Sequence, residues 1–325
     1  GTDVTEKLVN PNGDKELLGW KVQYNRTDVT SGFDWLTSGH TENENPNQYG
    51  YWGWVKPNFE IWNSSQIVVD ENNISQTVRN LPNGTYVFSA FCVAVRTGSD
   101  YANPDDWKEC YGGYMFANDD SVSVATNPTG TIVDGQTWLH ARRFHVATTV
   151  TDGTLKVGVG AKTETNLYWI GFDGVKLYDF GNVTTDEALL GMAKIELAED
   201  VAVADTLKAY PMTADGAKGL ADALPFAEGA QTIEDIAAAE DTIRIACAFA
   251  RNGIAAVSAI AEQLVVAKEV VEGDWSDMVA QQVVNLKKKI AQVEADLAAN
   301  ALTIEEVEAY KTDFLETIDQ VRIDA

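Results

Sequence analysis

The chain has 325 residues, of which 45% are hydrophobic, and it carries 24 basic against 49 acidic side chains, a formal net charge of -25 and a pI near 4.3. Acid in such excess repels phosphate backbones and anionic lipid, which argues against nucleic-acid and membrane-surface partners. No apolar run approaches the roughly 20 residues needed to span a bilayer; the best, residues 253–267, is short and is interrupted by Glu262.

Composition breaks near residue 180. Eight of the nine Trp, six of the eight Pro, eighteen of the twenty-five Gly and all three His precede that point, and Ala, Val, Glu and Asp dominate after it. The first part has turn signals about every ten residues and many β-branched and aromatic residues, which predicts an all-β domain over 1–181. The second has apolar residues at a period of about 3.5 with little punctuation, which predicts an α-helical domain over 182–325.

Strand signals follow one another from Leu8 to Phe180: "GWKVQYN", "FEIWN", "QIVVD", "ISQTVRN", "GTYVFSAFCVAVRT", "GGYMFAN", "SVSVAT", "RRFHVATTVT", "TLKVGVGAK" and "YWIGFDGVKLYDF". Turn residues such as Pro82-Asn83-Gly84 and Asp152-Gly153 separate them. About ten short strands with no helical pattern between them predict a β-sandwich of two antiparallel sheets, a jelly roll. Tyr86, Phe88 and Ala90 alternate with Val87 and Ser89 and read as core. Trp20 and Trp62 read the same way.

The stretch "NQYGYWGWVKPNFEIWN", residues 47–63, places two Tyr, three Trp and one Phe in seventeen positions. If residues 50–55 are extended, Trp52 and Trp54 share a face roughly 6–7 Å apart. That spacing suits indoles lying under successive sugar rings, and it equally suits a sandwich interior. The polar loop before it, "GHTENENPNQYG", has the character of a binding rim. A second loop, "TGSDYANPDDWKECYGG", sets Tyr101, Trp107 and Tyr111 among Asp105, Asp106 and Glu109. With Trp35 and Tyr49, these aromatics form the candidate carbohydrate-binding set.

Catalysis leaves no comparable trace. No Ser occupies a nucleophile elbow, and His40, His140 and His145 lack the spacing of a triad or metal set; His145, in "RRFHVAT", reads as structural. Cys92, Cys110 and Cys247 show no zinc spacing. Cys92 and Cys110 could pair in an exported protein, although they flank a hairpin off-centre. Asp173, in "GFDGVKL", falls on a strand expected to be buried, where a carboxylate needs a cation or several hydrogen-bond donors.

"LVNPNGDKELLGW" resembles the opening strand of galactose-binding-like jelly rolls, including carbohydrate-binding modules of families 4 and 22. "FEIWNSSQIVVDENNISQTVRNLPNGTYVFSAF" is similar to the middle of such domains in exported Bacteroidetes proteins, and "GTLKVGVGAKTETNLYWIGFDGVKLYDF" to their last two strands. The resemblance implies a non-catalytic, exported or cell-surface protein that stacks glycan rings on aromatic side chains. It also implies a structural calcium held by Asp173 and an acid after the opening Asn-Pro. Asp14 stands nearest that second position, but "NPNGD" lacks the aromatic-then-acid pair of the family, and satisfaction of Asp173 by backbone donors is the alternative. The chain starts without a charged-then-apolar leader, and Gly1 reads as the start of a mature, processed protein, so export is inferred.

The helical part opens at "TTDEALLGM", with Thr185 expected as N-cap. Leu190, Ala193, Leu197, Val201 and Ala204 step by three and four along a bundle seam. Near the end, Thr303 and Glu306 form a capping-box pattern ahead of Ile304, Val307, Phe314, Ile318 and Val321. "LAEDVAVADTLKAYPM" parallels "IAEQLVVAKEVVEGDW", and "TIEDIAAAEDTIRIACAFAR" parallels "TIEEVEAYKTDFLETIDQVR". The sequence thus predicts two three-helix repeats, about 185–252 and 253–325, which resemble FIVAR-type bundles of exported bacterial proteins. Gly253 marks their junction, and Asn252-Gly253 is expected to kink rather than break a long shared helix. The run Lys287, Lys288, Lys289 reads as a solvated face. A competing reading of the whole chain is an adhesion or scaffold protein whose jelly roll and bundles contact other cell-surface proteins.

Overall fold

The computed structural model describes residues 1–23, 36–38, 58–62, 72–96, 110–124, 132–133, 136–137, 142–162, 164–273, 275, 279–299 and 301–323. The chain divides into two compact units, Gly1–Met192 and Ala193–Ala325.

The first unit is built from antiparallel sheets. One has β11 (Arg142–Val150), β6 (Gly84–Arg96), β13 (Leu167–Asp179), β4 (Asn58–Trp62) and β3 (Leu36–Ser38) in that order, with β1 (Thr2–Asp3) also paired to β13. The other has β2 (Lys21–Gln23), β5 (Asn72–Arg79), β12 (Thr154–Ala161), β7 (Gly113–Ala117) and β8 (Asp120–Ser123). A short ribbon pairs β9 (Ile132–Val133) with β10 (Gln136–Thr137).

The period-two alternation of these strands sends one set of side chains into a shared core. Phe59, Ile61, Tyr86, Phe88, Ala90, Ile170 and Phe172 come from the six-stranded sheet, and Ile74, Val78, Met115, Leu155, Val157 and Val159 from the five-stranded one. Phe59 and Phe172 stack at 4.8 Å, and Trp20 closes on both at 5.1 and 5.6 Å. Burying each such side chain contributes about 1.5–3 kcal/mol. The expected core residues Trp20, Tyr86, Phe88 and Ala90 are therefore in place; the Trp62 side chain lies outside the described residues.

Two devices keep the alternation in phase. In β13, Ile170 and Phe172 face the core, and so do Val175 and Leu177. That change of parity requires one extra residue. The register with β6 accordingly shifts between Asp173 and Lys176, with Gly174 at φ 59°. At the N-terminus, the Gln76 amide grips the Val9 backbone, its oxygen accepting from the N–H at 2.5 Å and its nitrogen donating to the C=O at 2.9 Å.

Cys92 and Cys110 are not joined in a disulfide, and burial holds the Cys92 thiol well above its ordinary pKa.

The second unit contains α2 (Ala214–Ala223), α3 (Pro225–Gly229), α4 (Ile233–Val271), α5 (Ala280–Ala298) and α6 (Ile304–Ile323), while the division between units falls inside α1 (Thr185–Leu207). Ile260, Ala267 and Val270 of α4 pack with Leu286, Ile290 and Val293 of α5 and with Val307, Phe314, Ile318 and Val321 of α6. Beside them α1 and α4 share buried charge. Arg244 reaches Asp200 at 2.8 Å and Glu240 at 3.7 Å. Of the lysine run on α5, Lys287 and Lys288 are exposed, and Lys289 pairs with Asp313 and lies over Tyr310.

The N-cap of α1 is Thr184, not Thr185. Thr184 Oγ1 accepts from Glu187 N–H at 3.3 Å, and Glu187 Oε2 accepts from Thr184 N–H at 2.9 Å. A capping box needs an acid three residues on, and counting three from Thr185 lands on Ala188. The same box opens α4 at Thr232 with Asp235, and α6 at Thr303 with Glu306.

Gly253 neither breaks nor ends a helix, because α4 runs through it for 39 residues. Its role is close approach. A Cβ there would lie 2.3 Å from Thr213 Oγ1 and 3.0 Å from Thr213 N. Gly219, inside α2, has nothing nearer than the Ala246 Cβ at 4.0 Å. Gly219→Ala should therefore stabilise by about 0.5–1 kcal/mol through helix propensity. Gly253→Ala should instead destabilise by about 1–3 kcal/mol through overpacking, so that urea midpoints of the two variants move in opposite directions.

Tyr86 ties the end of the sandwich together. Its hydroxyl lies 3.0 Å from Pro82 O and 3.2 Å from Asp179 Oδ2. Burial, then the Asp179 charge and hydrogen bond, push its pKa from 10.0 up to about 12. The folded form keeps a proton that the unfolded chain releases, so this contribution is complete below pH 10 and is lost as pH rises toward about 12. Stability measured by urea titration across that range should fall, and Tyr86→Phe should flatten the slope.

Candidate functional site

The outer face of the five-stranded sheet carries the alternate set of residues from strands whose other set fills the core. Across it, Gln23, Asn73, Gly160 and Tyr114 stand in one row, and Lys21, Ser75, Gly158 and Phe116 in the next. An open trough of ≈ 330 Å³ runs over this face. Its lining includes Asn73, Tyr114, Phe116, Asp120, Lys156 and Lys162.

Tyr114 and Phe116, two residues apart on β7, hold their rings 5.7 Å apart at 37°. Phe116 has room because residue 158 is glycine: a Cβ there would sit 2.7 Å from the ring and 2.3 Å from Ile74 O. The outer sides of the rings are covered by lysines, Lys156 Nζ 5.4 Å above Phe116 and Lys162 Nζ 5.9 Å above Tyr114. The rings are only 7% and 8% exposed, and long lysine side chains, not core residues, lie over their outer sides.

One end of the trough is set rigidly by the two-residue loop Asn118-Asp119 between β7 and β8, with Asn118 at φ 52°. Asn118 Oδ1 accepts from Lys156 N–H at 2.8 Å, and Asn118 N–H donates to Lys156 C=O at 2.7 Å. At the other end Asn73 is 4% exposed, and its Oδ1 has no hydrogen-bond partner. A buried unsatisfied acceptor costs about 1–3 kcal/mol, and a ligand hydroxyl would relieve that cost.

The six-stranded sheet also turns polar residues away from the core. Arg143, Phe91 and Asp173 stand in register across β11, β6 and β13, with the Arg143 guanidinium 4.6 Å from the Phe91 ring centre. Trp169 Nε1 donates to Glu60 Oε2 at 3.0 Å. Asn58, Glu60 and Asp173 are all buried. The aromatic stretch 47–63 thus contributes β4, with Phe59 and Ile61 in the core and Asn58 and Glu60 on the opposite side.

Of the aromatic residues expected to contact carbohydrate, Tyr111 is described and is 55% exposed. Its backbone is held between Asn166 and Thr165, and its side chain lies outside the trough lining. Trp35, Tyr49, Trp52, Trp54, Tyr101 and Trp107 lie outside the described residues. His145 is half-buried on β11, opposite Ser89. Asp14 is exposed in the N-terminal turn while Asp173 has no exposed surface. Among the described residues no three His, Cys, Asp or Glu side chains converge on a metal position. Tyr114, Phe116, Asn73 and Lys162 escaped the sequence reading. Their signal was present in the Gly-x-Gly of "KVGVGAK" lying opposite the alternate aromatics of "GGYMFAN".

No protein-family model matches the chain, and no curated protein does. Among solved structures it is similar to the carbohydrate-binding module TmCBM61 in complex with β-1,4-galactotriose, at 13% identity and a TM-score of 0.32 over 53% of this chain and 97% of that one. A cleaved adhesin domain of Lys-gingipain from Porphyromonas gingivalis gives 17% identity and 0.33 over 56% and 100%. A cyclase from Fischerella sp. TAU in complex with 4-(1H-indol-3-yl)butan-2-one gives 14% and 0.36 over 57% and 100%. Scores this low carry no argument about ligand or chemistry.

Proposed function

We propose that the protein binds carbohydrate without transforming it, and that the trough on the five-stranded sheet is a binding face. The observation that carries this reading is the pairing of two same-face aromatics with a ring of amide, hydroxyl, carboxylate and ammonium groups in an open, strand-built concavity. Sugar rings present C–H faces that pack on aromatic surfaces and a rim of hydroxyls that both donate and accept. The polar groups that line the trough can do both as well. A site built on strands holds its geometry better than one built on loops.

The galactose-binding-like jelly roll, an exported or cell-surface location and a structural calcium at Asp173 belong to the same proposal, supported by the ordered motifs of residues 8–180. For the helical part the proposal is a pair of three-helix repeats that share α4 and serve as a spacer. Support comes from the internal parallels and from the capping boxes that open α4 and α6 at equivalent Thr residues.

The test is a glycan array probed with the full chain and with Asn73→Ala. Removing a buried acceptor that has no partner should leave the melting temperature nearly unchanged, a difference within about 1 kcal/mol. Glycan affinity should fall, because the ligand hydroxyl loses its acceptor. Glycan binding that survives Asn73→Ala at full strength would place the binding face elsewhere, and an array with no bound member would remove the carbohydrate reading.

A further inference from the structure

Taking the five-stranded face as the glycan site, we infer that the bound sugar is anionic, its carboxylate or sulfate seated at the Lys162 end of the trough, a proposal that rests on that reading. The chain has twice as many acids as bases, 49 against 24. In the helical part Lys208, Lys218, Lys268, Lys289 and Arg244 each pair with an acid. Among the described residues Lys156 and Lys162 take part in no salt bridge; each ammonium instead rests over an aromatic ring of the trough.

The two lysines are not equivalent. They stand six residues apart on one face of the same chain segment, about 20 Å at ~3.3 Å per residue. At the Lys156 end the β7–β8 loop brings Asp119 and Asp120 into the lining. Lys162 is the remaining charged residue of the lining, and the register places Gln23, Asn73 and Tyr114, all neutral, in the row beside it. Among the described residues, the lining thus carries both signs of charge at one end and only positive charge at the other.

An exposed ammonium over a ring is held weakly and exchanges that contact for a charge-assisted hydrogen bond to an anion. The buried oxygen of Asn73 cannot take the anion, since both are acceptors. It accepts a hydroxyl of the same sugar. The site therefore asks for acid and hydroxyl groups on one ligand. The overall charge of -25 slows the approach of an anionic chain, but beyond about 8 Å at physiological ionic strength it is largely screened.

The full chain is titrated with matched polymers: polygalacturonate against its methyl ester, and a sulfated galactan against the unsulfated one. At least one acidic member should bind about tenfold tighter than its neutral counterpart, and the pair showing the preference identifies the acid. The preference should weaken as ionic strength rises from about 0.05 to about 0.5 M. Lys162→Gln should erase it, Lys156→Gln should reduce it less, and Lys287→Gln, on the helical part, should leave it intact. Equal binding of acidic and neutral members, or a preference that survives Lys162→Gln, overturns the anionic assignment while the carbohydrate reading stands. Binding of none of the four, together with an empty glycan array, removes both.

Discussion

The contact on which the β unit depends is the stack of Phe59 on Phe172, closed by Trp20. It joins β4 to β13 on the core side and fixes the parity of both strands. With Phe59 inside, Glu60 must face outward; with Phe172 inside, so must Asp173. A slip of one residue would exchange these sets and carry carboxylates into an apolar core, at a cost of several kcal/mol for each charge. The bulge after Asp173 performs the same service further along, returning Val175 and Leu177 to the core after one residue too many. Packing at the centre thereby decides which chemistry faces away from it.

On the five-stranded sheet the same parity produces the trough. Leu155, Val157 and Val159 fill the core, which commits Lys156, Gly158 and Gly160 to the other face. Glycine at 158 is then a packing requirement as well as a gap, since Phe116 occupies the space of its missing side chain. Between β12 and β7 a small residue faces a large one, and the aromatic surface lies low against the sheet beneath two lysines. The site is shaped by what the strand lacks as much as by what it presents.

Much of this was legible in the sequence, and the part that was not has a physical reason. The break near 180, the strand run, the core alternation of Tyr86, Phe88 and Ala90 and the capping pattern at Thr303 all depend on neighbours within a few residues. The Tyr114–Gly160 and Phe116–Gly158 juxtapositions depend on which strands pair, and spacing within one strand carries no information about its partner. Asn73 shows the limit most clearly. In "NNISQTVRN" it is one polar residue among several, and its unpartnered oxygen exists only because of what β12 and β2 place around it. Thr184 was missed for a simpler reason, a choice between adjacent threonines that the acid at 187 settles. Gly253 stands at the junction of the repeats, where the sequence points to a kink in a shared helix rather than a break, and the helix does continue. What spacing along the helix could not show is that this glycine admits the backbone and hydroxyl of Thr213.

The same charge pattern runs through both halves of the chain. Acid is in excess along the sequence, and in the helical part Lys208, Lys218 and Arg244 sit in local pairs, Arg244 with Asp200 and Glu240, while Lys287 and Lys288 are exposed. Surface pairs of that kind are worth little for stability; their consequence is that no ammonium in them is left for a ligand. Lys156 stands opposite Thr77 across the sheet, and the lysine ammonium groups lie over Phe116 and Tyr114. A strand that had placed Asp or Glu at 114 or 116 would have neutralised both. The same cross-strand pairs that give the trough its floor put Tyr114, Phe116, Asn73 and Gln23, all neutral, on this face.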